Sequence, residues 1–323
     1  MAFKQLFAFS SLAASLSVSY AALTRRVSCP DGVNTATNAA CCQWFTIRDD
    51  LQNNLFDNTC GEEVREAVRL TFHDGIGFSP TNGGGGSDGS IITFASTELT
   101  FANNNDGGVE DIVTNLTPFV SKYNITPGDL IYFASAVGIS NCPGAPKLTF
   151  LAGRPDPTGP APDGTVSSPT DTVDAILTRF GEVGFSSDEV VALLASHSIG
   201  AADGITGSFR GAPFDSSAHV FDSQFYVETL LDTTLAGEVR LPSDGALARD
   251  NRTSCTWQGF ITDQDDQSSL VDCSEVIPDV IANNAAPYLP GTVTSIDQSC
   301  TATPFPTLVA SAALTSVTAV NEF

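Results

Sequence analysis

Only three histidines occur in the 323 residues, and two of them stand in segments that constrain what the chain can become. One stands in the run Arg69-Leu70-Thr71-Phe72-His73-Asp74, and the other follows Val190-Val191-Ala192-Leu193-Leu194 in Ala195-Ser196-His197-Ser198. An Arg four residues before a His puts a guanidinium and an imidazole on one face of a helix, an acid-base group beside a charge stabiliser. His197, behind an apolar helical run, has the setting of an imidazole offered to a large apolar ligand, as the fifth ligand of a haem iron would be. A lone buried His is most often a satisfied core group. Two such settings in so histidine-poor a chain point instead to one redox-active iron.

The N-terminus reads Met1-Ala2-Phe3-Lys4 and then runs apolar to Ala22, with small residues at its end. This is a secretory signal peptide, too short and too serine-rich to span a membrane. Thr24-Arg25-Arg26 follows as a short propeptide, so residues 1–26 are set aside and an extracellular product is expected. The removed segment holds three basic and no acidic side chains, leaving 11 basic against 37 acidic residues, a formal charge of about −26. That balance argues against nucleic acid or an anionic membrane as partner and favours cations or neutral aromatics. Eight cysteines in a secreted chain read as four disulfides, with the pairing left open by sequence. No Cys-x-x-Cys pair or His-rich tract suggests zinc. Asn115, Asn124 and Asn251 begin glycosylation sequons, as suits an extracellular surface.

The class is mainly α. Apolar positions on a helical period run from Cys60 to Asp74. Thr126-Pro127-Gly128-Asp129 is a helix start, Thr170 to Phe180 predicts another helix ending at Gly181, and Ser186 to Glu189 is a capping box that opens the His197 helix. Gly- and Pro-rich loops, Gly83 to Gly89 and Gly153 to Gly164, lie between, and no alternation is long enough to build a sheet. Residues 27–323 are expected to form one domain, two helical lobes around a cofactor, with an extended tail from about 301.

Arg69-Leu70-Thr71-Phe72-His73-Asp74, Gly84 to Ser90, Ser140 to Pro146, Leu151-Ala152-Gly153-Arg154-Pro155, Leu193 to Ile199 and Ala212-Pro213-Phe214-Asp215-Ser216 occur in the order of a known family. Over about Val27 to Phe305 the chain resembles the secreted fungal (class II) haem peroxidases, the group of manganese, lignin and versatile peroxidases. The resemblance implies a two-lobed peroxidase fold with haem b between the lobes. It places Arg69, Phe72 and His73 on the distal side with Asn104 orienting the His73 ring, and His197, Asp244 and Phe214 on the proximal side. Peroxide must lose a proton from one oxygen and gain it on the other, which a neutral imidazole can do while an Arg stabilises developing charge. The resemblance further implies an Mn²⁺ site of Glu62, Glu66, Asp203 and a haem propionate, hard oxygen donors that suit this ion as substrate. Two Ca²⁺ sites are implied: Asp74, Gly86, Asp88 and Ser90 distally, and Ser198, Asp215, Ser217, the Val220 carbonyl and Asp222 proximally. The implied disulfides are Cys29–Cys42, Cys41–Cys273, Cys60–Cys142 and Cys255–Cys300.

Lignin-oxidising relatives carry an exposed Trp five residues before the proximal His; here that position is Ala192, and Trp44 and Trp257 read as structural. Two departures stand out. The chain is short between Leu231 and Leu241, and Asp265-Asp266-Gln267-Ser268-Ser269 replaces a further amphipathic helix of the family. The expected function is a monomeric, secreted manganese peroxidase. It would use hydrogen peroxide to oxidise Mn²⁺ to Mn³⁺, which chelated by small organic acids reaches phenolic, lignin-type substrates. The alternatives are a generic peroxidase oxidising phenols at the haem edge, and a non-catalytic calcium-binding glycoprotein of the same fold.

Overall fold

The signals read from the sequence open helices where they should. In the computed structural model, which describes residues 26–105, 107–202 and 210–261, Thr126 Oγ1 accepts from Asp129 N at 3.3 Å with Pro127 in the first turn. Ser186 and Glu189 close a reciprocal capping box, Glu189 N to Ser186 Oγ at 3.3 Å and Ser186 N to Glu189 Oε2 at 2.8 Å.

The helices, in chain order, are α1 (Cys42–Asn54), α2 (Glu62–Gly75), the short α3 (Ser90–Thr93) and α4 (Ala95–Glu98), α5 (Gly107–Tyr123), α6 (Pro127–Ile139), α7 (Val173–Glu182), α8 (Ser187–Leu193), α9 (Gln224–Glu228), α10 (Pro242–Leu247) and α11 (Ser254–Gly259). Among the described residues the only strands are two antiparallel ribbons: β1 (Val27–Ser28) with β2 (Thr35–Ala36), and β3 (Ala201–Ala202) with β4 (Ala212–Pro213).

Two details differ from expectation. The helix expected from Thr170 begins at Val173, because Thr172 is its cap and Ser168 and Asp171 close a turn before it. It runs through Gly181 to Glu182, and the chain turns at Gly184, whose φ of +99° only glycine adopts freely. The α8 segment tightens after Leu193 into a 3-10 turn, Leu194–Ile199, so His197 rides on that turn and not on the α-helix.

Two hydrophobic cores define two lobes. The first gathers α1, α2, α5 and α6 around Trp44, Phe133 and Phe150, whose ring centroids lie 4.7 to 4.8 Å apart. Helix α6 is buried almost all round, as a central helix must be when it is apolar on every face. The second core gathers α7, α8, α9, α10 and α11 around Phe180, Val190, Phe225, Tyr226 and Trp257. Phe72 of α2 stacks on Phe180 of α7 across the boundary, centroids 5.8 Å apart and planes within 9°. Arg179 of α7 donates to the carbonyls of Ile76 and Phe78, just beyond α2, and to Thr165 O at 2.9 Å. Glu182 accepts from Ser79 and Thr81, each at 2.8 Å. This clamp holds the end of the Arg69–His73 helix against the second lobe.

Cys29–Cys42 and Cys60–Cys142 are bonded as expected, and Cys41 and Cys255 are also disulfide-bonded. Their expected partners Cys273 and Cys300, the segment around Gln267 and the tail lie outside the described residues.

Candidate active site

Helix α2 places Arg69 and His73 one turn apart. Arg69 Nε donates to His73 Nε2 at 3.0 Å, and His73 Nδ1 lies 2.8 Å from Asn104 Oδ1. Asn104 is itself fixed, because its Nδ2 donates to Glu98 O at 3.1 Å. With the amide nitrogen so committed, Asn104 Oδ1 must accept, which puts a proton on His73 Nδ1 and leaves Nε2 a lone pair. Arg69 donating to Nε2 requires the same tautomer. His73 and Asn104 are buried, whereas Arg69 is exposed. Phe72 meets the His73 ring edge-on at 5.6 Å. The arrangement is a neutral base, oriented from behind, with a cation at its working nitrogen.

On the other lobe His197 Nδ1 is 3.1 Å from Asp244 Oδ2, and Asp244 is buried at the first turn of α10. Phe214 and Phe225 flank the ring, centroids at 5.1 and 5.4 Å. The β3–β4 ribbon ties the chain after His197 to the chain before Phe214. Gly200 is required there, since a Cβ would lie 2.6 Å from the Phe214 ring. No hydrogen bond reaches His197 Nε2 among the described residues. An imidazole packed against two phenyl rings, with Nδ1 given to a buried carboxylate and Nε2 without a hydrogen bond among the described residues, fits an axial ligand of haem.

The acids expected around calcium cluster in two places. Asp74 accepts from Gly89 N with both oxygens, at 3.0 and 3.1 Å, and Asp88 Oδ1 accepts from Ser90 N at 3.0 Å. Gly86 is buried in the same loop at φ +75°, and Gly89 passes so close to α6 that a Cβ would sit 2.3 Å from Gly128 N. Burial pushes Asp74 well above the usual carboxylate range, opposed by the Gly89 N–H and reinforced by Asp88 and Glu98. Burial also raises Asp88 and Glu98. In the second cluster Asp215 Oδ1 accepts from Ser217 N at 2.8 Å, Ser217 Oγ donates to Asp222 Oδ1 at 3.1 Å, and Val220 N closes the turn on Ser217 O at 2.7 Å. Burial drives Asp215 well up, Asp222 adding to it, and burial raises Asp222. Asp215 Oδ2 and Ser198 Oγ are buried without a hydrogen-bond partner, as is Glu98 Oε2 of the first cluster. Orphaned hard oxygens beside crowded carboxylates fit a divalent cation.

Glu62 and Glu66 lie one turn apart near the start of α2, Glu66 buried and Glu62 partly exposed. Arg210 Nη2 approaches Glu62 Oε1 at 3.4 Å and Asp111 Oδ2 at 3.3 Å. Asp203 lies outside the described residues. Among those residues no group of three His, Cys, Asp or Glu side chains forms a metal cluster. Ala192 is exposed where a Trp would have to stand.

Sequence reasoning missed Glu98, fully buried, whose carbonyl holds Asn104 and whose Oε1 accepts from Ala161 N at 2.9 Å. It also missed Arg210 beside Glu62. Both rest on contacts distant in the chain, and no local spacing announces them.

The chain matches the peroxidase family model over residues 46–263 and the fungal peroxidase extension region over 261–321. Manganese peroxidase 3 of Phlebia radiata is 51% identical over 96% of each chain. Ligninase H2 of Phanerodontia chrysosporium is 46% identical over 96% of this chain and 95% of its own, and versatile peroxidase VPS1 of Pleurotus eryngii 44% over 95% and 96%. The first alignment extends over 355 positions, more than the 323 residues available, so this chain lacks segments that relative has.

Proposed function

We propose that this chain, which belongs to the fungal class II haem peroxidases, is a secreted enzyme that uses hydrogen peroxide to oxidise Mn²⁺. When bound, the haem supplies the iron that receives peroxide and holds its oxidising equivalents. The surrounding side chains do the rest. His73 Nε2 takes the proton from one peroxide oxygen and delivers it to the other, Asn104 keeping Nδ1 protonated throughout. Arg69 surrenders its bond to Nε2 and turns its charge to the oxygen on which negative charge develops. Asp244 accepts from His197 Nδ1, strengthening the imidazole as a donor to iron.

The observation that carries the manganese reading is the placement of Glu62 and Glu66 on the face of α2 two turns and one turn before Arg69, and Ala192 at the position of the alternative tryptophan supports it. Asp203 completes the proposed donor set. The similarity to a manganese peroxidase supports this choice, while comparable similarity to ligninases and a versatile peroxidase leaves the experiment to make it. Two Ca²⁺ ions are proposed for the Asp74 and Asp215 clusters. Among the described residues no helix is long and apolar enough to cross a membrane. The test is a Mn²⁺ titration of the haem-loaded enzyme: saturable Mn³⁺ formation supports the assignment, and phenol oxidation without any response to Mn²⁺ overturns it.

A further inference from the structure

Behind the proximal histidine lies a chain of aromatic rings that the proposed reaction does not use. His197 meets Phe225 edge-on at 5.4 Å between centroids; Phe225 meets Trp257 at 5.3 Å, Trp257 meets Tyr226 at 5.0 Å, and Tyr226 stacks on half-buried Phe260 at 5.2 Å, planes within 16°. Trp257 is fully buried, and its Nε1 donates to Tyr226 O at 3.0 Å. Of these rings only the indole and the phenol give up an electron readily.

The two differ in what happens to their protons. A phenol must shed its proton as it is oxidised, but Tyr226 Oη donates to Val191 O at 2.8 Å, and a carbonyl does not take a proton away. Burial, helped by the Asp244 charge, raises Tyr226 further. An indole can lose an electron and keep its proton. For Trp257 the Tyr226 carbonyl accepts from Nε1 and would share the positive charge, and the buried Asp244 carboxylate next to Tyr226 has one oxygen, Oδ1, without a hydrogen-bond partner. Trp44 lacks these features. It packs on Phe133 and Phe150 in the other core, and its Nε1 is buried with no acceptor.

We propose that Trp257 is a redox-active residue, the site to which an oxidising equivalent passes from the haem through His197 and Phe225 when no reducing substrate is present. In that step Trp257 gives one electron to the peroxide-oxidised cofactor. The indole becomes a radical cation, the cofactor is reduced by one electron, and the proton stays on Nε1. The inference rests on His197 as the haem ligand and is independent of the manganese reading.

The test is freeze-quench electron paramagnetic resonance of the Mn²⁺-free holoenzyme after one equivalent of peroxide, with optical spectra of the same samples. The expected result is an organic radical whose hyperfine structure narrows when the protein carries ring-deuterated tryptophan and not ring-deuterated tyrosine. It persists in Trp44→Phe and disappears in Trp257→Phe. With only two tryptophans in the chain, a signal that survives in Trp44→Phe and narrows with label assigns Trp257 even should Trp257→Phe fail to fold. No radical in a sample whose optical spectrum shows oxidised haem, a signal that narrows with tyrosine label, or one lost in Trp44→Phe would overturn the proposal. A haem that peroxide leaves unchanged would instead count against the haem site.

Discussion

Arg69 Nε donates to the same nitrogen of His73 that must serve as the base, at 3.0 Å and one turn away on α2. In the proposed reaction the charge stabiliser thus rests on the base, and arriving peroxide would have to part the two. His73→Ala should slow the reaction with peroxide by about 10²- to 10⁴-fold, the usual range for removal of a general acid-base. Asn104→Ala should slow it less, by about tenfold, because the imidazole remains and only its tautomer and orientation are freed. Stopped-flow mixing measures both, and an Asn104 effect larger than that of His73 would contradict these roles.

Arg210 Nη2 lies 3.4 Å from Glu62 Oε1, an oxygen of the proposed Mn²⁺ donor set. Arg210→Ala frees Glu62 Oε1 and should lower the apparent KM for Mn²⁺ about two- to fivefold, in keeping with the modest worth of exposed ion pairs. Turnover with a phenol should not change. The comparison is best made at low salt, where screening is weakest.

Glu238 predicts a pH dependence of stability. Burial, joined by repulsion from Glu228, pushes its carboxyl up to about 8, and one of its oxygens is buried without a partner. The folded protein holds a proton there that the unfolded chain releases near its ordinary value. This contribution is fully present below about pH 4.5 and is lost as pH rises towards 8. Glu238→Gln keeps the neutral form at every pH, so its Tm should match the wild type near pH 4 and exceed it at pH 7.5. Thermal melts of the two proteins at both pH values check the sign.

The Arg179 clamp predicts a link between lobe docking and cofactor retention. Arg179→Ala removes charge-assisted hydrogen bonds to the segment after α2 and should cost about 2–3 kcal/mol. Because Phe72 and His73 lie on α2 and Phe180 on α7, haem should be lost from this variant faster than from the wild type. Transfer of haem to an apo-globin acceptor gives that rate.

Chelation of calcium should relax both histidine mounts, since Asp74 directly follows His73 and Ser198 directly follows His197. The expected outcome is a low-spin haem spectrum with activity lost, partly restored by Ca²⁺. A high-spin, active enzyme after chelation would make the two acidic clusters ordinary turns.

What could be read from the sequence was what depends on near neighbours. The four-residue spacing of Arg69 and His73, the Thr126 cap and the Ser186–Glu189 box all belong to single turns of chain, and each folds as its spacing dictates. The 3-10 turn at His197 was not legible, because α and 3-10 turns share the i to i+3 neighbourhood and packing chooses between them. Gly181 misled because a helix tolerates glycine at modest cost, and the stop came from the backbone conformation of Gly184. Glu98 and Arg210 act through partners 63 and 148 residues away, Ala161 and Glu62, which no local pattern encodes.

The most direct test of the account is Mn³⁺ formation, followed as its absorbing organic-acid chelate at saturating peroxide, in the wild type and in a Glu62→Gln/Glu66→Gln double variant. The account predicts saturation with Mn²⁺ in the wild type. In the double variant the apparent KM should rise at least tenfold and Mn²⁺ turnover fall, while phenol oxidation continues. Equal Mn²⁺ kinetics in the two proteins would contradict it.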